Sequence, residues 1–388
     1  MIVVIQNYMA WLPLTENWIY KQVKNLPDSI QNHVVCKHTE NLDVFSLPHI
    51  HCWDDHGWLS TATVVIRGLF KSWPYFHRHG AHLIHVADRY GASLVHSHFG
   101  YMGWHCMRAI RRAGLRHVVS FYGVDASRLP RENPVWKDRY AEMFSVIDTV
   151  LCEGPCLARN VIDLGCPPDK VKVHHLGVNI DEIPFKSRRW NGQGPLRVLI
   201  AASFREKKGI PYGLEALGRL SPTIPLEVTI IGDAGTTEEG QREKDAILRA
   251  IDRHSLAPHV RFMGFQSHVR LIEEAWQHHV FLSPSVTSGN GDTEGGAPVS
   301  IIEMAASGMP VVSTMHCDIP EVIQNEVGGL LAEEKDVDGL AERIEWLAQH
   351  PDSWADMTMA ARKRIEEEFD ARKQGIKLAA VYQRIVNG

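Results

Sequence analysis

The chain has 388 residues, enough for two domains of ordinary size that each bury a core. Its net charge of −5 gives no reason to expect a nucleic-acid partner, and no apolar run approaches the length of a membrane-spanning helix. Seven cysteines, an odd number at irregular spacing, favour reduced thiols in a cytoplasmic protein over a disulfide framework.

Short apolar runs alternate with amphipathic stretches in both halves of the chain, a pattern that predicts an α/β fold of parallel sheets covered by helices. In the first half we expect Met1 to Ile5 to form a buried strand rather than a secretory signal, because the segment lacks a basic region. Further strands are predicted at 93–96, 116–120, 149–152 and 171–175, with a helix at 102–113.

The second half begins after a polar, glycine-rich stretch without periodicity, residues 185–195, which indicates a linker. Strands are then predicted at 196–201, 227–232, 260–263 and 280–283, and the last segment, 354–386, has a helical pattern. This order predicts two doubly wound domains.

Two carboxylates flank a glycine-rich turn and a helix in residues 288–314, SGNGDTEGGAPVSIIEMAASGMPVVST. Pro298 suits the first helical position and Gly308 the position just past the helix end, so the segment should form loop, helix and strand. The helix dipole and unpaired N–H groups at its start favour a bound diphosphate. The residues expected around that diphosphate are Gly295, Gly296, Ala297, Pro298 and Val299.

Glu294 and Glu303 cannot favour a phosphate, because both are carboxylates. We therefore expect them to contact neutral hydroxyls, Glu303 those of a ribose and Glu294 those of a transferred sugar. The alternative is a solvated loop followed by a structural helix glutamate.

The segment resembles the glutamate motif of family 4 of the retaining glycosyltransferases, and the resemblance covers most of the chain. The family has seven residues between the two glutamates, whereas this chain has eight, and a bulged turn at residues 295–297 can absorb the extra one. The resemblance implies the GT-B fold, with two Rossmann-like domains facing across a cleft. It predicts an acceptor domain at 1–184, a linker at 185–195, a donor domain at 196–365 and a helix at 366–388 crossing back to the first domain.

The loop after the strand at 196–201 resembles the family's Gly-Arg-x-x-x-x-Lys-Gly loop, whose cations hold the donor diphosphate. Lys208 matches the lysine, but Ser203 occupies the arginine position, and Arg205 is expected to reach the phosphates in its place. An ordinary solvated charged loop is the alternative. The resemblance also places Gly232 in a turn near the donor and Phe265 beside the nucleobase.

In the first half, residues 12–19 resemble a Pro-x-Ser-Glu-Thr-Phe-Ile helix start that faces the donor, with Thr15 as the cap and Glu16 and Asn17 following it. The segment Ser120 to Asp125, SFYGVD, resembles Thr-Phe-His-Gly-x-Asp, whose histidine lies beside the transferred sugar. Asp125 matches the family aspartate in this motif, on the acceptor or sugar side.

Tyr122 replaces the family histidine, and a phenol with a pKa of about 10 is a poor base at neutral pH, so we expect it to position the sugar. His98 follows another predicted strand and is expected to line the same cleft. For any one of the 22 histidines, a purely structural role is the alternative.

The resemblance implies transfer of a hexose from a UDP- or GDP-sugar to a glycan or lipid-linked glycan in polysaccharide biosynthesis, with no cofactor and no metal. Lys208, Arg205 and the helix start would stabilise the leaving diphosphate while Glu294 orients the sugar. Two alternatives stay open: a non-catalytic sugar-nucleotide-binding relative, and a nucleotide-sugar epimerase of the same fold. Arg108, Arg111, Arg112 and Arg116 form a basic face that suits either peripheral contact with the inner membrane surface or plain solvation.

Overall fold

A computed structural model describes residues 1–13, 16–53 and 75–388, and the predicted helix cap Thr15 lies outside them. The described chain divides into two compact units. The first contains Met1–Gly177 together with Ala371–Gly388, and the second contains Val178–Asp370.

The first unit has a parallel sheet whose described strands follow the order β5-β3-β1-β6-β7-β8-β9, with a separate short pair formed by β2 and β4. Its central strands are buried on both faces, and the polar side chains that they carry, such as His96 and Ser97, are buried with the apolar ones. The strands are β1 Ile2–Asn7, β2 Ala10–Trp11, β3 Ile30–Cys36, β4 His38–Thr39, β5 Ile50–Cys52, β6 Leu94–His98, β7 Arg116–Phe121, β8 Thr149–Cys152 and β9 Val171–Val173.

Helices connect these strands as the amphipathic stretches predict. The predicted helix at 102–113 is confirmed, with its start two residues earlier at Gly100. The α-helices described in this unit are Asn17–Lys24, Tyr75–Tyr90, Gly100–Arg112, Arg128–Glu132, Val135–Val146, Pro155–Asp163 and Ala371–Asn387.

The second unit has a parallel sheet with the order β12-β11-β10-β13-β14-β15, the strand order of a Rossmann fold. Predicted strands at 196–201 and 280–283 are confirmed to the residue. The strands are β10 Leu196–Ala201, β11 Leu226–Ile231, β12 Val260–Gly264, β13 Val280–Ser283, β14 Val311–Thr314 and β15 Leu330–Ala332. The α-helices are Ile210–Leu220, Glu238–Arg253, His268–Ala275, Val299–Ala306, Ile319–Val322, Val337–Gln349 and Trp354–Glu368.

Each sheet reverses its strand order at one place, between β1 and β6 in the first unit and between β10 and β13 in the second. Connections leave in opposite directions there, so a crevice opens beyond the carboxyl ends of the two strands, where open α/β sheets bind ligands. A ligand site is therefore expected at the loops that follow these four strands.

The polar segment 185–195 packs within the second unit, where the Arg188 guanidinium donates to the carbonyls of Ser307 at 2.9 Å and Ala275 at 3.2 Å. The helical segment predicted at 354–386 is two helices, because the backbone at Phe369 leaves the helix and accepts a hydrogen bond from the Val178 N–H at 2.8 Å. The second of these helices lies in the first unit, where Tyr382 packs on the sheet.

Candidate active site

The glycine-rich loop, helix and strand predicted at 288–314 are confirmed, with the helix Val299–Ala306 starting one residue later than expected. Gly295 has a φ of +79° and Gly308 a φ of +83°, conformations that an L side chain rarely adopts. Val299 and Ser300 open the helix, so their N–H groups have no intrahelical acceptor. The helix start offers donors and partial positive charge to an anion.

Glu294 lies just before this helix with both carboxylate oxygens occupied. Lys208 Nζ is 2.8 Å from Oε2, and Ser285 Oγ donates to Oε1 at 3.0 Å. Burial alone would raise the pKa of Glu294, but the charges of Lys208 and Lys207 outweigh burial and hold the pKa at about 2. Glu294 is therefore an ionised, oriented acceptor at any ordinary working pH.

The loop after β10 is held against the loop after β13. Gly209 has a φ of +62°, and an added Cβ would lie 1.9 Å from the Pro284 carbonyl oxygen, so only glycine fits. Arg205 Nη2 donates to Asp292 Oδ2 at 2.6 Å. Both Arg205 and Lys208 thus meet carboxylates of the segment that leads into the helix.

Lys207, which the sequence analysis did not single out, is the buried member of this cluster. Its Nζ donates to the Thr293 carbonyl at 2.8 Å and lies 3.4 Å from Asp292 Oδ1. Two adjacent lysines look alike in sequence, and only the turn Glu206–Lys208 directs Lys207 inward and Lys208 towards Glu294. Lys207 holds the loop, and Lys208 is the more accessible cation.

The turns after β10, β11 and β12 also meet at this edge of the sheet. The Gly232 N–H donates to the Gly264 carbonyl at 2.8 Å, and a Cβ on Gly232 would lie 1.8 Å from the Ala202 carbonyl oxygen and 3.4 Å from the Ser203 nitrogen. Phe265 follows Gly264 with 58% of its surface exposed. An exposed aromatic beside three converging turns offers a face to a planar ring.

Glu303 is buried inside the helix, and its Oε1 accepts a hydrogen bond from His268 Nε2 at 2.9 Å. His268 opens the helix His268–Ala275 and keeps about a third of its side chain exposed. Sequence reasoning missed His268, because its partner is 35 residues away and the pairing depends on how two helices pack.

In the first unit, Tyr122 and His98 lie together beyond the sheet, after β7 and at the end of β6. His98 Nε2 is 3.1 Å from Gln6 Oε1, which can only accept, so Nε2 carries the proton and Nδ1 accepts from the Tyr122 hydroxyl at 2.7 Å. Burial lowers the pKa of His98 to about 3 and raises the pKa of Tyr122 far above its usual value. Both groups are neutral near pH 7.

Asp125 supports the loop that carries Tyr122. It is fully buried, and its two oxygens accept the N–H groups of Gly100 at 2.8 Å and Tyr122 at 3.0 Å. Burial raises the pKa of Asp125 to about 6, and the backbone donors partly offset this effect. These contacts tie the loop after β7 to the start of the helix Gly100–Arg112.

Glu16 lies close to the same cluster and accepts a hydrogen bond from the Tyr8 hydroxyl. Tyr8 stacks on Phe99, with ring centroids 5.6 Å apart, and meets the His98 ring edge-on at 6.3 Å. Burial raises the pKa of Glu16, and the bond from Tyr8 opposes the shift. Asn17 begins the helix Asn17–Lys24 directly after Glu16.

We predict that Tyr122→Phe lowers kcat for the expected sugar transfer about tenfold or less. The pH profile of kcat should stay unchanged, because no group that titrates near neutrality is lost. The phenylalanine leaves His98 Nδ1 without its donor, which should cost about 1 to 3 kcal/mol of stability. Initial rates from pH 6 to 9 and thermal unfolding measure the two effects. Loss of activity together with a displaced ionisation would instead identify the phenol as a proton-transfer group.

Two Rossmann-like units, with a lysine and a glutamate paired before a helix start, place the chain in the α/β class and suit a phosphorylated ligand at that helix start. Residues 182–364 match the family model described as "Glycosyl transferases group 1", and residues 15–182 match "Glycosyltransferase Family 4". The chain is 32% identical over 299 residues to the amylovoran biosynthesis glycosyltransferase AmsK of Erwinia amylovora, covering 76% of this chain and 71% of that protein. The chain belongs to glycosyltransferase family 4, a retaining family, and transfers a sugar from a nucleotide sugar.

Other relatives agree with this assignment. The putative colanic acid biosynthesis glycosyltransferase WcaL of Escherichia coli is 29% identical over 305 residues, covering 77% of this chain and 72% of WcaL. The fold resembles Anabaena HepE in complex with UDP, with a TM-score of 0.79 at 14% identity over 99% of this chain and all of HepE. It also resembles the lipopolysaccharide outer core galactosyltransferase WaaB, with a TM-score of 0.70 at 12% identity over 99% of this chain and all of WaaB. These structural likenesses establish the GT-B fold.

Proposed function

We propose that this chain transfers a hexose from a UDP- or GDP-sugar to a glycan or lipid-linked glycan during assembly of an exopolysaccharide. The names of AmsK and WcaL, which refer to amylovoran and colanic acid, support the polysaccharide product. Solved complexes of HepE with UDP and with UDP-glucose favour UDP over GDP as the first donor to test.

The observation that carries the proposal is the ion pair between Lys208 and Glu294 before the helix Val299–Ala306. The helix start and Lys208 suit a donor diphosphate, because both supply positive charge at one place. Glu294, ionised and oriented by Ser285, suits the hydroxyls of the transferred sugar. Glu303 with His268 suits the ribose, since a carboxylate forms charge-assisted hydrogen bonds with hydroxyl donors.

In the proposed reaction the bond from the anomeric carbon to the diphosphate oxygen breaks, and the acceptor oxygen bonds to the same face of that carbon. The acceptor proton passes to the departing phosphate oxygen. Lys208 and the helix N–H groups stabilise the charge that develops on the diphosphate.

Enzymes of this family are typically metal-independent, and we propose that these groups serve without a metal here. Full activity in excess EDTA is the expected result.

The acceptor is proposed to lie on the first unit, near Tyr122, His98 and Glu16. Arg111 and Arg112 are exposed at the end of the helix Gly100–Arg112 and suit an anionic or membrane-borne acceptor. Among the described residues, none of the helices combines the length and apolar character needed to traverse a bilayer.

The deciding experiment supplies radiolabelled UDP- and GDP-hexoses with lipid-linked glycans extracted from the source cells, in vesicles with and without anionic lipid. Labelled, chain-extended lipid product is expected with one donor, with the anomeric configuration retained. Release of free hexose alone, or no turnover of any nucleotide sugar, would contradict the proposed transfer.

We predict that Glu303→Gln weakens binding of free UDP or GDP by about 10- to 100-fold, because the amide keeps one hydrogen bond to a ribose but loses the charge-assisted bond, worth about 1.5 to 3 kcal/mol. Isothermal titration calorimetry measures the dissociation constant directly. Glu273→Gln, on the helix that carries His268 and more than half exposed, serves as the control. Unchanged nucleotide affinity in Glu303→Gln would refute the ribose assignment.

A further inference from the structure

A buried histidine and a glutamate lie behind Glu294, on loops that follow the last two strands of the second sheet. His316 follows β14 and is fully buried, and Glu334 follows β15. His316 Nε2 lies 3.1 Å from the backbone nitrogen of Glu294, and His316 Nδ1 lies 2.6 Å from Glu334 Oε1. The three residues form one chain of hydrogen bonds that ends at the Glu294 backbone.

The hydrogen-bond partners decide which imidazole nitrogen carries the proton. The Glu294 backbone N–H can only donate, so His316 Nε2 must accept. The Cys317 thiol, with Sγ 3.2 Å from the same Nε2, is a second, weak donor towards it. Nδ1 therefore carries the proton and donates it to Glu334.

Glu334 suits the role of acceptor for His316 Nδ1, because each of its two carboxylate oxygens accepts a hydrogen bond. Oε1 accepts from His316, and Oε2 accepts the backbone N–H of Thr287 at 2.7 Å. Burial alone would raise the pKa of Glu334, but these hydrogen bonds outweigh burial and hold the pKa at about 2. Thr287 and Ser285 lie on one loop, and Ser285 bonds the Glu294 carboxylate, so the loop is held both at Glu334 and at Glu294.

We propose that His316 and Glu334 are positioning residues for the transfer reaction. Glu334 selects the imidazole tautomer with the proton on Nδ1, and His316 then holds the Glu294 backbone so that the carboxylate meets the transferred sugar. This inference rests on the proposed function of Glu294. Neither residue is among the groups that the proposed function assigns to the nucleotide, so their loss should affect kcat and spare nucleotide affinity.

Glu334→Gln is the sharpest test, because the side chain keeps its shape and has one acceptor oxygen in place of two. If that oxygen stays on the Thr287 N–H, the amide NH₂ faces His316 Nδ1 and drives the proton to Nε2, where it opposes the Glu294 N–H. We expect kcat to fall about 100-fold, the effect of a small misplacement of a reacting group, with the dissociation constants of free UDP and GDP unchanged.

Variants of His316 separate positioning from simple packing. His316→Gln keeps an acceptor within reach of the Glu294 N–H, whereas His316→Leu removes it, so kcat should be about tenfold higher in the glutamine variant. The control is His278→Gln, which removes another buried histidine whose Nδ1 donates to the Glu274 carbonyl at 2.8 Å. This control should retain the wild-type kcat.

Nitrogen-15 spectra of the labelled histidines test the tautomer without any activity measurement. The signal that disappears in His316→Gln should show a protonated Nδ1 and an unprotonated Nε2 in the wild type, and the reverse in Glu334→Gln. A protonated Nε2 in the wild type, or a folded Glu334→Gln enzyme with wild-type kcat, would overturn the proposal. A wild type that transfers no sugar from any nucleotide donor refutes the proposed function instead, and the spectra still decide the hydrogen-bond chain.

Discussion

Lys208→Ala should lower kcat by about 100- to 1,000-fold, the usual cost of removing one group that stabilises developing negative charge. Lys208 Nζ lies 2.8 Å from Glu294 with 18% of its side chain exposed, beside the helix start where we place the leaving diphosphate. Because the loss concerns charge that develops in the transition state, saturating donor should not restore the rate. Initial rates at saturating nucleotide sugar, together with thermal unfolding, measure the effect.

Lys363 serves as the control for this variant, and Lys207 as a comparison within the same cluster. Lys363→Ala removes a positive charge that is 76% exposed, so its kcat should equal that of the wild type. Lys207→Met removes the buried lysine that holds Thr293 and Asp292, and its main effect should be a lower unfolding temperature. Wild-type turnover in a folded Lys208→Ala enzyme would show that the diphosphate does not depend on this lysine.

Glu294→Gln should lower kcat by about 100-fold while free UDP and GDP bind as tightly as before or more tightly. The amide keeps the shape of the carboxylate but loses the charge that orients the sugar hydroxyls. Lys208 then loses its carboxylate partner and becomes fully available to the diphosphate. Measuring kcat and the dissociation constants of UDP and GDP on the same preparation tests both the predicted loss of rate and the predicted retention of nucleotide binding. Weaker nucleotide binding with unchanged kcat would place Glu294 at the nucleotide instead of the sugar.

The stability difference between the wild type and Glu294→Gln should depend on pH. The pKa of Glu294 in the folded chain is about 2, below the unfolded value of about 4.3, so its ionised form stabilises the fold. That contribution is fully present above about pH 5 and is lost as the pH falls towards 2. The difference in unfolding free energy between wild type and Glu294→Gln should therefore be constant at neutral pH and shrink on acidification. Chemical denaturation at several pH values measures it.

The sequence by itself determined the local elements and the residue types at the ends of the strands. The mainly apolar runs at 149–152, 196–201 and 280–283 are strands over the same residues in the structure, because a parallel strand buried on both faces favours a nearly continuous apolar run. Proline and glycine marked the limits of the helix Val299–Ala306 to within a residue, because each restricts the backbone locally. Lys208 and Glu294, which follow two of these strands, were also identified as candidates from the sequence.

Only the tertiary structure decided which of these groups meet. Arg205 bonds Asp292, 87 residues away, and His98 accepts from Tyr122, 24 residues away. His316 and Glu334, to which the sequence pattern assigned no role, meet behind Glu294 because β14 and β15 are neighbours in the sheet. Periodicity and turn residues act over a few positions of the chain, whereas these pairings depend on strand order and helix packing across a whole unit. Local pattern therefore identifies the candidates, and the long-range packing of the sheet assigns their partners.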